Sequence, residues 1–438
     1  MNIHDNPEPG RGADDLQAPQ SAQQDPSLPV SVSGTQLSWL GLPQFSWSLA
    51  LLGLCIFTFA IVTYRLPIGD LGIAIAGLGL VLQPGKLRIS MPVGFFGAFV
   101  LWAFLASYAS PYPEVARDRV VDYLKLLVIM LVIVNALRTE GQLRFYMMFF
   151  LACFILYPVR GTLMGGDTQF GRAIWNFIYG NSNDLATLSL LTLGIALGFM
   201  FARPIPMVVR AGAGISAMLL LVVILLTQSR GAFLGLLAGM GPALLWMGLK
   251  RPVRLLVTAG ILALVIALVV PASVWERLAG IEKLTNKETI ADADEEGSAA
   301  ERFEIQKVGW RIFVDHPVFG IGLGAYPLAN AMYAPQIGRK DTHNTYLNLA
   351  AEVGLPGVII WLTCFGSVLW YAYRSRRLAG DSVTAIQQGW VERAFFAYLV
   401  AGIVGTYAKL TFPYLMLAVL WCSATLLASK PIPPTTRS

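Results

Sequence analysis

Charged residues are scarce in this chain. They make up 13% of its 438 residues, whereas hydrophobic residues make up 55%, and the mean hydropathy is +0.61. This composition excludes an ordinary soluble domain, which carries about twice that share of charge. Cysteine is also rare, and all four cysteines lie within apolar runs: Cys55, Cys153, Cys364 and Cys422. Neither a disulfide framework nor a cysteine metal cluster is therefore indicated.

The sequence also lacks a nucleotide-binding phosphate loop. The glycine-rich segment 320–324 reads Gly-Ile-Gly-Leu-Gly and is not followed by the Lys-Ser or Lys-Thr pair that contacts ATP phosphates. A built-in ATPase is therefore not expected. We predict a protein that uses neither a metal nor a cofactor.

Apolar runs, by contrast, recur along almost the whole chain. Each is about 18 residues or longer, which is enough to cross a bilayer as a helix. They predict an all-α polytopic membrane protein with about twelve transmembrane helices. The predicted spans are residues 45–64, 66–83, 91–108, 122–137, 143–159, 182–201, 211–227, 231–248, 254–272, 347–373, 391–409 and 413–428.

Residues 1–38 have a different composition. They are rich in Pro, Gln, Ser, Gly and Asp and contain scarcely any aromatic residue, so they cannot bury enough apolar surface to fold. They also lack the basic start and short apolar core of a cleavable signal peptide. The segment is predicted to be a disordered cytoplasmic tail.

Basic residues predict the orientation in the membrane. With the tail inside, all five short cytoplasmic loops are basic, as the positive-inside rule requires: Lys86 and Arg88; Arg138 and Arg144; Arg203 and Arg210; Lys250, Arg251 and Arg254; Arg374, Arg376 and Arg377. The net charge of +6 is then mostly a topology signal, and no nucleic-acid partner is expected. Both termini are predicted to be cytoplasmic. The first nine spans occupy residues 39–274, one large outer loop occupies 275–346, and the last three spans occupy 347–429.

Arg230 lies at a tight break between the seventh and eighth predicted spans. Ionisable groups at membrane depth are costly and face either a charged partner or a wet cavity. One interpretation is that Arg230 pairs with another isolated charge on the outer side. The other is that its guanidinium points into the helix bundle and binds an anion, which is favoured because the break has almost no loop around it.

A helix is predicted inside the large loop. Ser298 and Glu301 have the spacing of a capping box, so a helix should run from about Ala299 to Asp315. Arg302 lies in its first turn, where free N–H groups favour an anion and a guanidinium would add a bidentate phosphate contact. The alternative is an ordinary first-turn arginine bonded to Gln306 or to the acidic run upstream.

Two histidines lie outside the tail. His316 precedes a proline at a predicted helix end, which favours a capping or hydrogen-bonding role. His343 opens the segment that leads into the tenth span and has Asn344 and Tyr346 close by. A neutral imidazole at that place could accept a proton from a hydroxyl near pH 7.

Three motifs occur in a fixed order in the second half of the chain. Residues 229–235 read Ser-Arg-Gly-Ala-Phe-Leu-Gly, residues 316–326 read His-Pro-Val-Phe-Gly-Ile-Gly-Leu-Gly-Ala-Tyr, and residues 343–357 read His-Asn-Thr-Tyr-Leu-Asn-Leu-Ala-Ala-Glu-Val-Gly-Leu-Pro-Gly. Together they resemble the O-antigen ligase and polymerase superfamily, best over about residues 210–370. Arg172, before the middle helix, lies in a segment that is also similar to one in those proteins.

The resemblance implies a metal-independent glycosyltransferase of the bacterial inner membrane with a periplasmic active site. Its donor would be a glycan on undecaprenyl pyrophosphate. Arg230 and Arg302 would hold the pyrophosphate, and His343 would accept the proton of the acceptor hydroxyl. Arg172 would assist at the donor site. Asn344 and Tyr346 would orient the imidazole or the sugar.

Arg311 is an alternative to Arg302 on the same predicted helix. At about 3.6 residues per turn the two lie half a turn apart around the axis, so only one of them can face a given site.

Three functions remain open for the sequence. A ligase would transfer the glycan to lipid A-core or a protein hydroxyl, whereas a polymerase would transfer a growing glycan to another lipid-linked repeat unit. Ligase is favoured because the third motif and the loop size are ligase-like. A secondary transporter without chemistry is the third alternative; it is disfavoured because no internal repeat is visible and the outer charges cluster at one surface.

Overall fold

The computed structural model describes residues 35–37, 40–63, 66–83, 85–169, 171–175, 181–250 and 299–429, together with the single positions 253 and 260. The helices in these ranges are α1 Leu49–Thr63, α2 Gly69–Leu82, α3 Met91–Ser107, α4 Pro113–Ala136, α5 Glu140–Phe154, α6 Arg160–Leu163, α7 Ser182–Phe201, α8 Met207–Leu226, α9 Arg230–Gly239, α10 Gly241–Leu249, α11 Ala299–Asp315, α12 Tyr326–Tyr333, α13 Thr345–Leu378, α14 Val383–Ala401 and α15 Thr411–Ala428. A π-helical turn, Ile155–Val159, joins α5 to α6.

Five helices of the described part are long and apolar enough to cross a membrane: Glu140–Leu163, Ser182–Phe201, Met207–Leu226, Thr345–Leu378 and Thr411–Ala428. The pair α9 and α10, bent by 47°, would make a sixth. Three shorter apolar helices, α1 to α3, lie where the first three spans are predicted. The described part of the chain is therefore mostly helical with five to six candidate spans, and the count of twelve stays a prediction. The predicted ninth span, 254–272, lies outside the described residues.

Two short hairpins add to the predicted all-α architecture. Strands β1 (Thr35–Leu37) and β2 (Leu42–Phe45) pair antiparallel, as do β3 (Thr168–Gln169) and β4 (Arg172–Ala173). The last residues of the predicted tail thus form a strand, whereas residues 1–34 and 38 lie outside the described part. Strands this short carry no readable alternation, so the sequence pattern did not indicate them.

The eleventh predicted span is displaced in the structure. Helix α14 begins at Val383 and ends at Ala401, not at 391 and 409. The Ser382 hydroxyl caps its start by accepting from Ala385 N at 3.2 Å. Polar residues in the first half of α14 misled the hydropathy reading, because they are buried and paired across helices: Glu392 binds Arg376 at 2.8 Å.

The large loop is partly helical, as predicted, over its described residues 299–346. Helix α11 has the predicted bounds, Ala299 to Asp315. Ile305 and Ile312 of α11 form a small apolar cluster with Tyr326 of α12. Residues 275–298, with the predicted cap Ser298, lie outside the described residues.

Helix α13 is broken at Gly354, which has φ 66° and ψ −179°. The break frees backbone carbonyls, and Pro356 lacks the N–H that would bond to Glu352 O. The second motif supplies donors for these carbonyls: Ile321 N donates to Ala351 O and Gly322 N donates to Glu352 O, both at 2.9 Å. Leu355 N in turn donates to Pro317 O at 2.8 Å. The second and third motifs are therefore two halves of one interface.

The Glu352 side chain strengthens that interface. Its Oε1 accepts from Tyr326 N at 3.2 Å, so the carboxyl group sits at the start of α12. A carboxyl oxygen at a helix N-terminus accepts from an N–H group that has no partner within the helix. This bond links the loop directly to α13.

We expect Gly354→Ala to destabilise the protein by about 2 kcal/mol or more, because this backbone region is almost restricted to glycine. The added Cβ would also collide with the backbone of Val318. Gly366→Ala in the same helix is the matched control, since its Cβ would meet nothing within 4 Å. Thermal unfolding in detergent measures both variants. Equal midpoints would show that the break tolerates a side chain.

Candidate active site

A narrow polar cavity lies where three chain segments meet. Its lining comes from the start of α7 (Asn181, Asn183 and Asp184), from the segment before α13 (Asp341 and His343) and from the connection between α14 and α15 (Gly405, Thr406, Tyr407 and Lys409). All three segments lie at helix ends, so the cavity is at one end of the bundle. It gathers an imidazole, two carboxyl groups and an ammonium in one place.

Hydrogen bonds hold the His343 segment against the α14–α15 connection. Thr345 N donates to Gly402 O at 2.8 Å, and the Thr345 hydroxyl donates to Gly405 O at 2.6 Å. The hydroxyls of Thr342 and Thr406 lie 3.1 Å apart. These bonds flank His343 on both sides and fix it opposite Lys409.

His343 has an unusual backbone conformation, with φ 52°. Among the described residues that are not glycine, Gln228 is the other with a positive φ, also 52°. Such conformations cost energy and are found at functional sites more often than elsewhere. Both strained positions belong to segments that carry predicted site residues: one is His343 itself, and Gln228 stands two positions before Arg230.

The imidazole of His343 is neutral at pH 7. Burial lowers its pKa to about 4, and the nearby charge of Arg302 acts in the same direction. Lys340 and Lys409 add to this effect, and Asp341 opposes it. The group is therefore a neutral acceptor surrounded by positive charge.

Arg302 lies on the His343 side of α11. Its Nε is buried and has no hydrogen-bond partner within the described part of the chain. Arg311 is exposed on the opposite side of the helix. Burial and Asp315 raise the pKa of Tyr333, and the charge of Arg311 opposes this rise. The charge of Arg311 therefore acts on Tyr333. The structure brings Arg302 towards the cavity and does not bring Arg311 there.

Arg230 is the first residue of α9, after the cap Ser229. A Cβ on the next residue, Gly231, would lie 3.7 Å from the hydroxyl of Tyr407, a cavity-lining residue. Ser229 is hydrogen-bonded to the same tyrosine. Arg230 is thus adjacent to one wall of the cavity, at a helix N-terminus that favours anions.

Arg172 is buried in β4 behind the cavity. Its Nε donates to Thr227 O and its Nη2 to Asn183 Oδ1, both at 2.9 Å. It therefore ties the end of α8 to the start of α7. Its charge also acts on Tyr407, so it contributes positive potential while it positions the wall.

Asn344 and Tyr346 have structural partners. Asn344 Oδ1 accepts from Tyr346 N and Leu347 N at 3.0 Å and so caps α13. The Tyr346 hydroxyl donates to Leu399 O at 2.7 Å and joins α13 to α14. Both residues hold the helix start that carries His343, and neither lines the cavity.

The sequence reasoning gave no role to Asp341, Lys409 or Asp184. Lys409 Nζ donates to Asp341 Oδ2 at 2.6 Å. Burial would lower the pKa of Lys409, but the carboxylates of Asp341 and Asp184 raise it above its ordinary value. Asp341 stands two residues before His343, which is the one local signal. Lys409 is 66 positions beyond His343, so only folding reveals its proximity. No cluster of three or more His, Cys, Asp or Glu side chains that could hold a metal occurs in the described ranges.

Part of the chain is similar to a known protein family. Residues 215–362 match the family model described as O-antigen ligase, and no match was found among curated proteins. The predicted superfamily resemblance is thereby confirmed over this region. It contains Arg230, Arg302 and His343, whereas Arg172, Asp184 and Lys409 lie outside it.

Proposed function

We propose that this chain, a member of the O-antigen ligase and polymerase superfamily by its residues 215–362, transfers a glycan from undecaprenyl pyrophosphate to an acceptor hydroxyl. One observation carries the proposal: a neutral, half-buried imidazole faces a cavity under the positive potential of Arg302 and Lys409. A sugar hydroxyl needs a proton acceptor, and a pyrophosphate leaving group needs fixed positive charge.

In the proposed step the acceptor oxygen attacks the anomeric carbon of the donor glycan on the side opposite the pyrophosphate. The bond between that carbon and the pyrophosphate oxygen breaks, and the pyrophosphate keeps the electron pair. His343 takes the hydroxyl proton. Arg302 and Arg230 stabilise the negative charge that develops on the leaving group, with Lys409 as a further cation at the cavity.

The proposed location is the periplasmic face of a bacterial inner membrane, with both termini in the cytoplasm. The basic loops of the predicted topology support this orientation. Arg203 and Arg210 lie at the α7–α8 turn, at the opposite end of α7 from Asp184. The positive-inside rule assigns that basic turn to the cytoplasm, which leaves the cavity outside.

Transfer to lipid A-core or to a protein hydroxyl, the ligase reaction, is the proposed activity. The test reconstitutes the purified protein with a glycan on undecaprenyl pyrophosphate and measures release of undecaprenyl pyrophosphate with each acceptor. A product on lipid A-core or protein supports the ligase, whereas elongation of the lipid-linked glycan itself identifies a polymerase. No release with any acceptor would exclude transfer and leave a transporter.

The acid limb of kcat/KM should report the free-enzyme pKa of His343. Activity requires the neutral imidazole, so it should fall as the pH is lowered through about 4. Lys409→Met removes a positive charge that lowers this pKa, so the limb should move to higher pH. Asp341→Asn removes the opposing negative charge, so the limb should move to lower pH. Movement of both limbs in one direction would contradict the assignment of His343 as the base.

A further inference from the structure

One side of helix α11 is apolar and faces away from the protein. Phe303, Trp310 and Val314 are 60%, 61% and 55% exposed. Their spacing of seven and then four residues places them on one side of the helix. We call these three residues the apolar stripe. The opposite side of α11 is also apolar, but there Ile305 and Ile312 are buried. Docking of α11 on the protein therefore leaves the apolar stripe uncovered.

The apolar surface continues beyond the helix. Val318 and Phe319, which follow α11, are also exposed. The Phe319 ring stacks on Trp102 of α3, with centroids 5.4 Å apart and an interplanar angle of 11°. Trp102 Nε1 donates to Val353 O at 2.8 Å, next to the break in α13. The segment that follows the apolar stripe therefore contacts α3 and, through Trp102, the break in α13.

Helices α3 and α13 also expose apolar side chains near the break in α13. Helix α3 exposes Leu101 and Leu105, and α13 exposes Leu355 and Ile359 beyond its break. In a membrane-spanning helix such residues face lipid. The stacking of Phe319 on Trp102 leads from the end of α11 to this surface, so the neighbouring side chains favour lipid as the cover of the apolar stripe.

The composition of the stripe fits a membrane interface and not only a bilayer core. Tryptophan is enriched where the acyl chains meet the headgroups. Lys307 lies beside the apolar stripe, one turn after Phe303, with its Nζ 4.6 Å from the centroid of the Phe303 ring and 2.7 Å from Glu304 Oε1. A lysine stem can lie along apolar surface while its ammonium stays among polar headgroups.

We propose that α11 lies in the bilayer interface, with the apolar stripe inserted among the lipids. The occupant of this surface is the bilayer itself. An amphipathic helix in this position buries its apolar side at the boundary of headgroups and acyl chains. Arg302, the neighbour of Phe303, is then held at the depth of lipid phosphates. That last consequence rests on the proposed function, whereas the insertion of the stripe does not.

The test uses full-length protein in vesicles of phosphatidylethanolamine and phosphatidylglycerol. Trp310→Cys carries an environment-sensitive fluorophore, and Glu304→Cys, on the polar flank of the same helix, is the matched control. The four native cysteines are buried, so the new thiol is the reactive one. Val314→Cys provides a second probe of the stripe if Trp310→Cys does not fold.

Lipids brominated on their acyl chains should quench the fluorophore at position 310 or 314 at least about twofold more than the fluorophore at position 304. The reason is that bromine quenches fluorophores that lie among the acyl chains, where the apolar side of an interfacial helix is buried. Aqueous iodide should show the reverse order. Equal lipid quenching at the three positions would overturn the proposal. Protection of positions 310 and 314 from both quenchers would also overturn it, since a protein partner would then cover the stripe. Neither readout depends on catalysis, so failure of the proposed transfer would be seen separately.

Discussion

His343→Asn should reduce kcat by about 10²- to 10⁴-fold, the usual contribution of a positioned general base. Asparagine is the informative replacement because it tolerates the positive φ of 52° at this position. Loss of activity would then come from the missing proton acceptor and not from backbone strain. Transfer from the lipid-linked donor, measured as release of undecaprenyl pyrophosphate, gives kcat directly.

His316→Ala is the matched control for this prediction. His316 follows Asp315, the last residue of α11, and precedes Pro317, whose carbonyl contacts the break of α13. It does not line the cavity. We expect it to keep most of the wild-type rate. The reverse pattern, an active His343 variant and an inactive His316 variant, would exchange the two assignments.

Arg302→Ala should lower kcat by about 10²- to 10³-fold, as expected when one group that stabilises transition-state charge is removed. Its guanidinium acts electrostatically on His343 and has a buried Nε without a partner in the described part of the chain. Arg302→Lys should recover little of this loss, because an ammonium cannot provide a planar, bidentate contact to phosphate.

Arg311→Ala tests whether this loss is specific. Both arginines are on α11, but Arg311 is exposed on the other side, where its charge acts on Tyr333. We expect the Arg311 variant to stay within about twofold of wild type, because substitutions at exposed positions away from the site have small effects. Equal losses in both variants, at unchanged thermal stability, would mean that the total charge of the helix matters and not the contact made by Arg302.

Much of the helical structure was predictable because its signals are local. The capping spacing around Glu301 predicted α11 with the bounds that the structure has. The apolar runs predicted most other helices, since hydrophobic length is a property of consecutive residues. Helix α14 was misplaced because its polar residues are satisfied by other helices: Gln388 Nε2 donates to Ala372 O and Ser423 Oγ to Gln388 Oε1.

The candidate site was predictable only in part. The ordered motifs contain Arg230 and His343, and the resemblance added Arg302, but helical geometry alone left Arg302 and Arg311 as alternatives. Their different surroundings became visible when α11 packed on the rest of the protein. The ion pair of Asp341 with Lys409 joins residues 68 positions apart, and no local pattern reports such a contact.

The sequence by itself determined the class of molecule, most of the helices and the superfamily resemblance, because composition, hydrophobic length and motif order depend only on the order of residues along the chain. Only the tertiary structure decided which charges surround His343, which carbonyls the break of α13 offers to the second motif, and which side of α11 stays apolar and uncovered. These depend on distances between remote segments. Burial of the imidazole beside Arg302 and Lys409, which makes His343 a neutral acceptor, exists only in the folded chain.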